Sequence, residues 1–176
     1  MMLRILIGLV VGLVALPAWA QTRDENVARC TAAADPATVD LKIGACTALL
    51  QSGQETAINI PIIYYDRGNG YRNKGLNDQA IADYTEAITL NPNYDNAYDN
   101  RGIVYRDKGL YDQAIADYTQ AIALKPDKAN AYYNRGGAYE EKGQRDQAIA
   151  DYRMALKLAP NYQLPLDALK RLGVTP

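Results

Sequence analysis

The sequence predicts an all-α chain, a stack of helical hairpins built on one repeated unit. Residues 61–162 fold onto themselves in three lines of 34, namely 61–94, 95–128 and 129–162, with sixteen of the 34 columns identical and no insertion or deletion. A fixed period of that length marks an array of stacked supersecondary units. Inside each line, large residues recur four and seven apart, which makes one helical stripe. Glycine and proline then punctuate every line at the same places.

Residues 1–20 read as a leader. Arg4 is the only charge, residues 5–16 are an apolar run, and Ala18-Trp19-Ala20 is a small-x-small cleavage site. The run falls short of the roughly 20 residues that a membrane span needs. This is the pattern of a secretory signal peptide cut after Ala20. The other reading is an uncleaved anchor that holds the protein to the inner membrane through residues 5–16. No cysteine follows the run directly, which argues against a lipoprotein. Cleavage takes the formal charge from −1 to −2 by removing Arg4. The mature protein is then expected in the periplasm or outside the cell, without membrane contact.

Residues 21–60 are expected to form a degenerate hairpin and a linker. Asp40-Leu-Lys-Ile-Gly-Ala-Cys-Thr-Ala-Leu-Leu runs in step with Asp78-Gln-Ala-Ile-Ala-Asp-Tyr-Thr-Glu-Ala-Ile, and Cys46 falls where Tyr84 sits. Residues 39–51 therefore read as a second helix, residues 26–34 as a shortened first helix, and Asp35-Pro36 as the turn. Residues 52–60 lead into the first repeat. Cys30 and Cys46 lie on the two halves of this hairpin, and two cysteines in an exported chain favour a disulfide. It would staple a hairpin that has none of the fourteen tyrosines, all of which lie in residues 61–162.

Each full repeat reads as two helices. The first carries Tyr64, Tyr98 or Tyr132 and, seven residues on, Tyr71, Tyr105 or Tyr139, and stops at Gly75, Gly109 or Gly143. A lysine precedes each of these glycines, which suits a helix C-terminus. The second helix opens at Asp78, Asp112 or Asp146, where a carboxylate can accept from free backbone N–H groups and complement the helix dipole. It ends before Pro92, Pro126 or Pro160, because the residue before proline is biased away from helix.

These residues resemble the tetratricopeptide repeat, a helix–turn–helix unit of 34 residues. Its pattern has an aromatic at the fourth place, Gly at the eighth, Tyr at the eleventh, Ala at the twentieth, an aromatic at the twenty-fourth, Ala at the twenty-seventh and Pro at the thirty-second. The first repeat supplies Tyr64, Gly68, Tyr71, Ala80, Tyr84, Ala87 and Pro92, and the other two supply the same residue types at every place. The resemblance implies a right-handed α-solenoid. Gly68 and Ala80 would let the two helices approach closely while the tyrosines fill the gaps, and stacking buries the seam that one hairpin cannot bury alone.

One departure is systematic. The family prefers Leu at the seventh place, and here stand Arg67, Arg101 and Arg135, each followed sixteen residues later by Asp83, Asp117 or Asp151. A guanidinium at a buried place needs a carboxylate. A ladder of structural ion pairs is expected, within one repeat or between neighbours.

The resemblance also implies function, because tetratricopeptide arrays bind peptides or protein segments in the groove lined by their first helices. Carried over place by place, the groove residues are Tyr65, Asn69 and Arg72 in the first repeat, Asn96, Asn100 and Arg106 in the second, and Asn130, Tyr133 and Asn134 in the third. Asn100 and Asn134 are expected to matter most, since a side-chain amide matches both the donor and the acceptor of a peptide. The paired Lys and Arg pattern that family members use to clamp a C-terminal carboxylate is missing. Asp99, Asp107, Glu140 and Glu141 make the groove mixed in charge, with an acidic third repeat.

Residues 163–176 read as an end helix. Pro165 suits a first helical position, Leu166, Leu169 and Leu172 make a stripe, and Gly173 ends it. A net charge of −1 gives no electrostatic case for nucleic acid. With no histidine, a His-based triad and histidine metal ligation are excluded. No cofactor and no enzymatic activity are expected. The function expected is a non-enzymatic scaffold or adaptor of a bacterial envelope, binding protein or extended peptide. Self-assembly through the repeats and an enzyme of unknown type are the other classes.

Overall fold

The computed structural model describes residues 18–175. Nine α-helices run among them: α1 (Ala18–Thr31), α2 (Val39–Ser52), α3 (Ile60–Asn73), α4 (Asn77–Leu90), α5 (Asp95–Asp107), α6 (Tyr111–Leu124), α7 (Ala129–Glu141), α8 (Arg145–Leu158) and α9 (Gln163–Arg171). Short connections make consecutive helices antiparallel neighbours. The first helices α1, α3, α5 and α7 also touch one another from hairpin to hairpin, and the second helices do not to a comparable extent. The all-α solenoid therefore closes on its first-helix side, which is the concave one.

The expected leader falls on residues 1–17, outside the described residues, and on residues 18–20, with which α1 begins. The first helix of the hairpin differs from the expected 26–34: it starts at Ala18 and stops at Thr31. Its early part is pinned from outside, because Arg23 makes a two-pronged pair with Glu55 in the α2–α3 connection, at 3.0 and 3.1 Å. Its end is set by Thr31, whose hydroxyl bonds back to Val27 O at 2.9 Å, and by the turn that follows. There Asp35 Oδ1 accepts from the backbone N–H groups of Ala37 and Thr38, both at 2.9 Å.

In each full repeat a glycine and a tyrosine set the helix spacing. A Cβ added to Gly68, Gly102 or Gly136 would stand 2.8 Å from Cε1 of Tyr84, Tyr118 or Tyr152. The backbone of the first helix thus rests on the ring of the second. The three rings are completely or almost completely buried, with Ala80, Ala114 and Ala148 beside them. Burying a side chain of this size contributes about 1.5–3 kcal/mol.

Gly75, Gly109 and Gly143 have φ of +72°, +74° and +72°. In the first repeat Leu76 N–H bonds back to Tyr71 O and Gly75 N–H to Arg72 O, both at 2.9 Å. This satisfies carbonyls that the helix end leaves open.

The second helices begin one residue before Asp78, Asp112 and Asp146, and none has a side-chain cap bond at its start. The aspartates do not cap. Asp78 and Asp112 instead pair with Lys108 and Lys142 of the following repeat, and Asp40 pairs with Lys74 at 2.6 Å. In the first turn each aspartate still complements the helix dipole, and for Asp78 and Asp112 a lysine from the next hairpin is within reach.

A second ladder runs through the interior. Arg67 Nε and Nη2 donate to Asp83 at 2.7 and 2.8 Å, Arg101 to Asp117 at 2.8 and 2.8 Å, and Arg135 to Asp151 at 2.7 and 2.9 Å. All three pairs lie within one repeat. Nη1 of each arginine reaches the preceding hairpin, where it donates to Thr47, Thr85 or Thr119 at 3.3, 2.9 and 3.0 Å. Each guanidinium also lies between two tyrosine rings of its own helix, 5.4–5.9 Å from their centroids. Burial pushes the Asp117 carboxyl up, against the pull of Arg101. One side chain thus ties its own hairpin and the hairpin before it.

The α1–α2 hairpin keeps the register by other means. Cys30 and Cys46 are fully buried and joined by a disulfide, with Cα atoms 4.9 Å apart. Lys42 stands in the column of Ala80, is buried, and sends its ammonium between the helices. It donates to the carbonyls of Cys30 and Ala32, the latter at 3.1 Å, and to Asp66 Oδ1 at 3.0 Å. Lys42 therefore both caps the C-terminus of α1 and binds α3.

At the other end α9 begins at Gln163, two residues before the expected Pro165, and buries Pro165, Ala168 and Leu169. Leu172 packs beside them, and Gly173 closes the helix at φ +68°. Leu169 takes the column of the arginines. In the threonine column of α8 stands Arg153, which donates to Thr175 O at 3.2 Å.

Candidate functional site

The concave face is lined by α3, α5 and α7. Its polar side chains are tied together at both junctions. Between the first and second repeats, Asn100 Nδ2 donates to Asn69 Oδ1 at 2.8 Å and to Tyr65 Oη at 3.1 Å. Tyr84 Oη also donates to Asn69 Oδ1, at 2.8 Å, and Arg72 Nη1 donates to Asn100 Oδ1 at 3.3 Å. Between the second and third repeats the hub is Asp99, which is buried and accepts from Asn130 Nδ2 at 2.9 Å and Asn134 Nδ2 at 3.2 Å. Lys128 lies 3.4 Å from Asp99 and bonds Asp95 at 3.0 Å and Asn96 Oδ1 at 2.8 Å.

Aromatic pairs flank these hubs. The rings of Tyr65 and Tyr94 lie 4.9 Å apart, and those of Tyr133 and Tyr162 lie 5.5 Å apart. Tyr94 and Tyr162 close their repeats, in the place that Lys128 takes in the second. Burial raises the pKa of Tyr84, Tyr94, Tyr118 and Tyr152 well above the ordinary tyrosine value, which makes these hydroxyls still weaker acids.

The charge pattern differs from the sequence expectation. Arg171 of α9 binds Glu140 at 2.9–3.1 Å, and Tyr152 Oη donates to Glu140 at 2.7 Å. Burial raises the Glu140 carboxyl, and these bonds outweigh it and leave its pKa lowered. Asp99 is matched by Lys128, and Asp66 by Lys42. At the third repeat the end helix thus supplies a counter-charge to Glu140, while Glu141 stays exposed. Arg72 donates to the neutral amide of Asn100 and makes no ion pair among the described residues, while Arg106 lies 3.6 Å from its neighbour Asp107.

The family model described as TPR repeat matches residues 68–109 and 102–143, and that described as Tetratricopeptide repeat matches residues 129–162. The chain belongs to the tetratricopeptide-repeat family. Among solved structures, the TPR domain of Arabidopsis OM64 is 30% identical, with 67% of this chain and 98% of that one covered at a TM-score of 0.66. The second TPR domain of human RPAP3, solved in complex with the HSP70 peptide SGPTIEEVD, is 29% identical over 67% of this chain and 98% of that one, at a TM-score of 0.65. MamA from Desulfovibrio magneticus RS-1 matches 90% of this chain and 86% of its own with a TM-score of 0.76, and at 21% identity this likeness shows the fold. No curated protein matches.

The tetratricopeptide array places Tyr65, Asn69, Arg72, Asn96, Asn100, Arg106, Asn130, Tyr133 and Asn134 on its first helices. Asn100 uses both ends of its amide within the protein, whereas Asn69 and Asn134 use one end each. Asn100 is thus part of the framework that positions Asn69. Sequence reading placed Asp99 in the groove as one of its negative charges, but missed its role as a buried hub and the Lys128 that serves it. The signal was the column at which Tyr65 and Tyr133 give way to Asp99, together with the closing place at which Tyr94 and Tyr162 give way to Lys128. Among the described residues no helix is long and apolar enough to cross a membrane, and no cluster of three metal-binding side chains forms.

Proposed function

We propose that this protein is a non-enzymatic interaction module of the cell envelope that holds an extended protein segment along its concave face. The observation that carries the reading is the row of half-used amides. Asn69 keeps its Nδ2 donors, and Asn130 and Asn134 keep their Oδ1 acceptors, without a hydrogen bond among the described residues, while the opposite end of each amide is fixed by the framework. Donors and acceptors held in place on adjoining helices suit the alternating N–H and C=O groups of an extended chain. The peptide bound by the human RPAP3 domain supports the same use of this fold. The apolar run of residues 5–16 and the Cys30–Cys46 disulfide support an oxidising compartment.

The test is crosslinking capture from native envelope, followed by calorimetry of the captured segment. Asn69→Ala with Asn134→Ala should weaken binding about ten- to a hundredfold, since each neutral hydrogen bond is worth about 0.5–1.5 kcal/mol. Gln120→Ala, on the second helix α6, should leave binding unchanged. Full affinity in the double mutant with loss in the control would move the binding surface to the convex face. A concentration-dependent mass without any captured partner would favour self-assembly instead.

A further inference from the structure

The ninth column of the first helices holds three different residues: Asn69, Ile103 and Gly137. The buried tyrosine of each second helix ends near it. Tyr84 donates to Asn69 Oδ1 at 2.8 Å, and Tyr152 donates to Glu140 Oε2 at 2.7 Å. Tyr118 holds the same place in the second repeat, is fully buried, and its hydroxyl has no hydrogen-bond partner among the described residues. Ile103 offers no acceptor, and Gly137 offers no side chain. A buried hydroxyl left unpaired is costly, and calls for an explanation.

The surroundings say what would pair with it. Arg106, Asp99 and Asp107 of α5, together with its neighbour Asp117, are the charged groups whose fields act on Tyr118. Asp99 is held by Lys128, Asn130 and Asn134, and Asp117 by Arg101. Arg106 lies across Gly137, with Nη1 3.6 Å from where a Cβ would stand, and its one ion-pair contact among the described residues is Asp107 at 3.6 Å. Arg72 repeats the same column one hairpin earlier and donates to the Asn100 amide. The middle of the groove thus combines two guanidinium groups with a buried hydroxyl donor, while Asp99 and Asp117 are already matched.

We propose that this central position takes the carboxylate of an Asp or Glu side chain in the bound segment, with Arg106 as its ion-pair partner and the Tyr118 hydroxyl as its second donor. The inference rests on the groove reading above and names the chemistry of what the groove holds. The hydroxyl is buried in the free protein, so the carboxylate reaches it only when the side chains over it move. A side chain fits better than a chain end, because the tyrosine pairs Tyr65–Tyr94 and Tyr133–Tyr162 continue the groove on both sides.

A displayed library of random dodecapeptides panned on the purified chain tests this, with anisotropy of fluorescent, C-terminally amidated copies of the enriched sequences. The enriched peptides should share an acidic residue, and its change to Asn or Gln should weaken binding about tenfold or more. Tyr118→Phe should weaken binding about tenfold yet melt no lower than wild type, whereas Tyr84→Phe should melt lower because it loses the bond to Asn69. Arg106→Gln should remove the preference for the acid over its amide. Equal binding by Tyr118→Phe, or a fall in its melting temperature equal to that of Tyr84→Phe, would overturn the assignment. So would indifference to the acid, or a need for a free C-terminus. Peptides that bind without acidic preference would leave the groove reading standing and remove only this one. A library that enriches nothing would remove both.

Discussion

The disulfide-bonded hairpin α1–α2 and the three full repeats occupy equivalent places in one stack, yet nothing inside them is alike. A full repeat holds its helices together with a glycine backbone laid on a tyrosine ring and a two-pronged Arg–Asp pair. The hairpin has Cys46 in place of the tyrosine, Ala45 in place of the aspartate and Lys42 in place of the alanine. Its helices are held by a covalent bond and by one ammonium on α2 that reaches α1 and α3. What survives in both is the outward face toward the next repeat. Thr47 meets Arg67 as Thr85 meets Arg101, and Asp40 meets Lys74 as Asp78 meets Lys108. The interior of a unit is free to change as long as its stacking face is kept, because neighbours in a solenoid contact only one another.

The largest effect should come from breaking the repeats' own device. Arg101→Ala leaves Asp117 buried and without its partner, which costs about 3–5 kcal/mol, while Arg106→Ala on the surface should cost about 0–1 kcal/mol. Urea melts followed by circular dichroism compare them, and equal midpoints would mean that the interior ladder contributes no more than a surface charge.

Next is the hairpin's device. The disulfide spans a separation of 16 residues, worth about 3 kcal/mol in the chain-entropy model. Cys30→Ala with Cys46→Ala should raise hydrogen exchange in α1 and α2 and leave α5 to α8 protected. Intact mass with and without reduction and alkylation reports the oxidation state, and two free thiols in protein taken from the envelope would end the staple reading.

Glycines give the finest contrast. Gly102→Ala drives a methyl group to 2.8 Å from the Tyr118 ring, and overpacking of this kind costs about 1–3 kcal/mol. Gly44→Ala on α2 meets nothing within 4 Å and should stabilise by up to about 1 kcal/mol through helix propensity. Opposite shifts in melting temperature are expected, and a shared sign would contradict the packing described.

The repeats were legible because the same forces act three times and leave the same residues in the same columns. Arg101 and Asp117 could be paired on paper since both columns are filled in every repeat. The groove was less legible, because its columns vary: Asn69, Ile103 and Gly137 share a place, and only packing shows which of them satisfies a tyrosine. Arg171 was unreadable for another reason, since its partner Glu140 lies 31 residues away on a helix of a different kind. Asp78 was misjudged as a cap because its lysine sits in the next repeat, where comparison of one line with another does not look.

The columns of Thr85 and Arg101 also say where copying stops. Each threonine waits for an arginine that arrives with the following unit, and in the last unit Arg153 stands there instead. Helix α9 answers with Leu169, a buried residue that asks for no carboxylate. In polymer language, Arg153 and Leu169 are a chain-terminating monomer. Duplicating residues 129–162 would therefore place an arginine against an arginine at the new seam, and a longer array requires Arg153→Thr in the inner copy before the added unit can join.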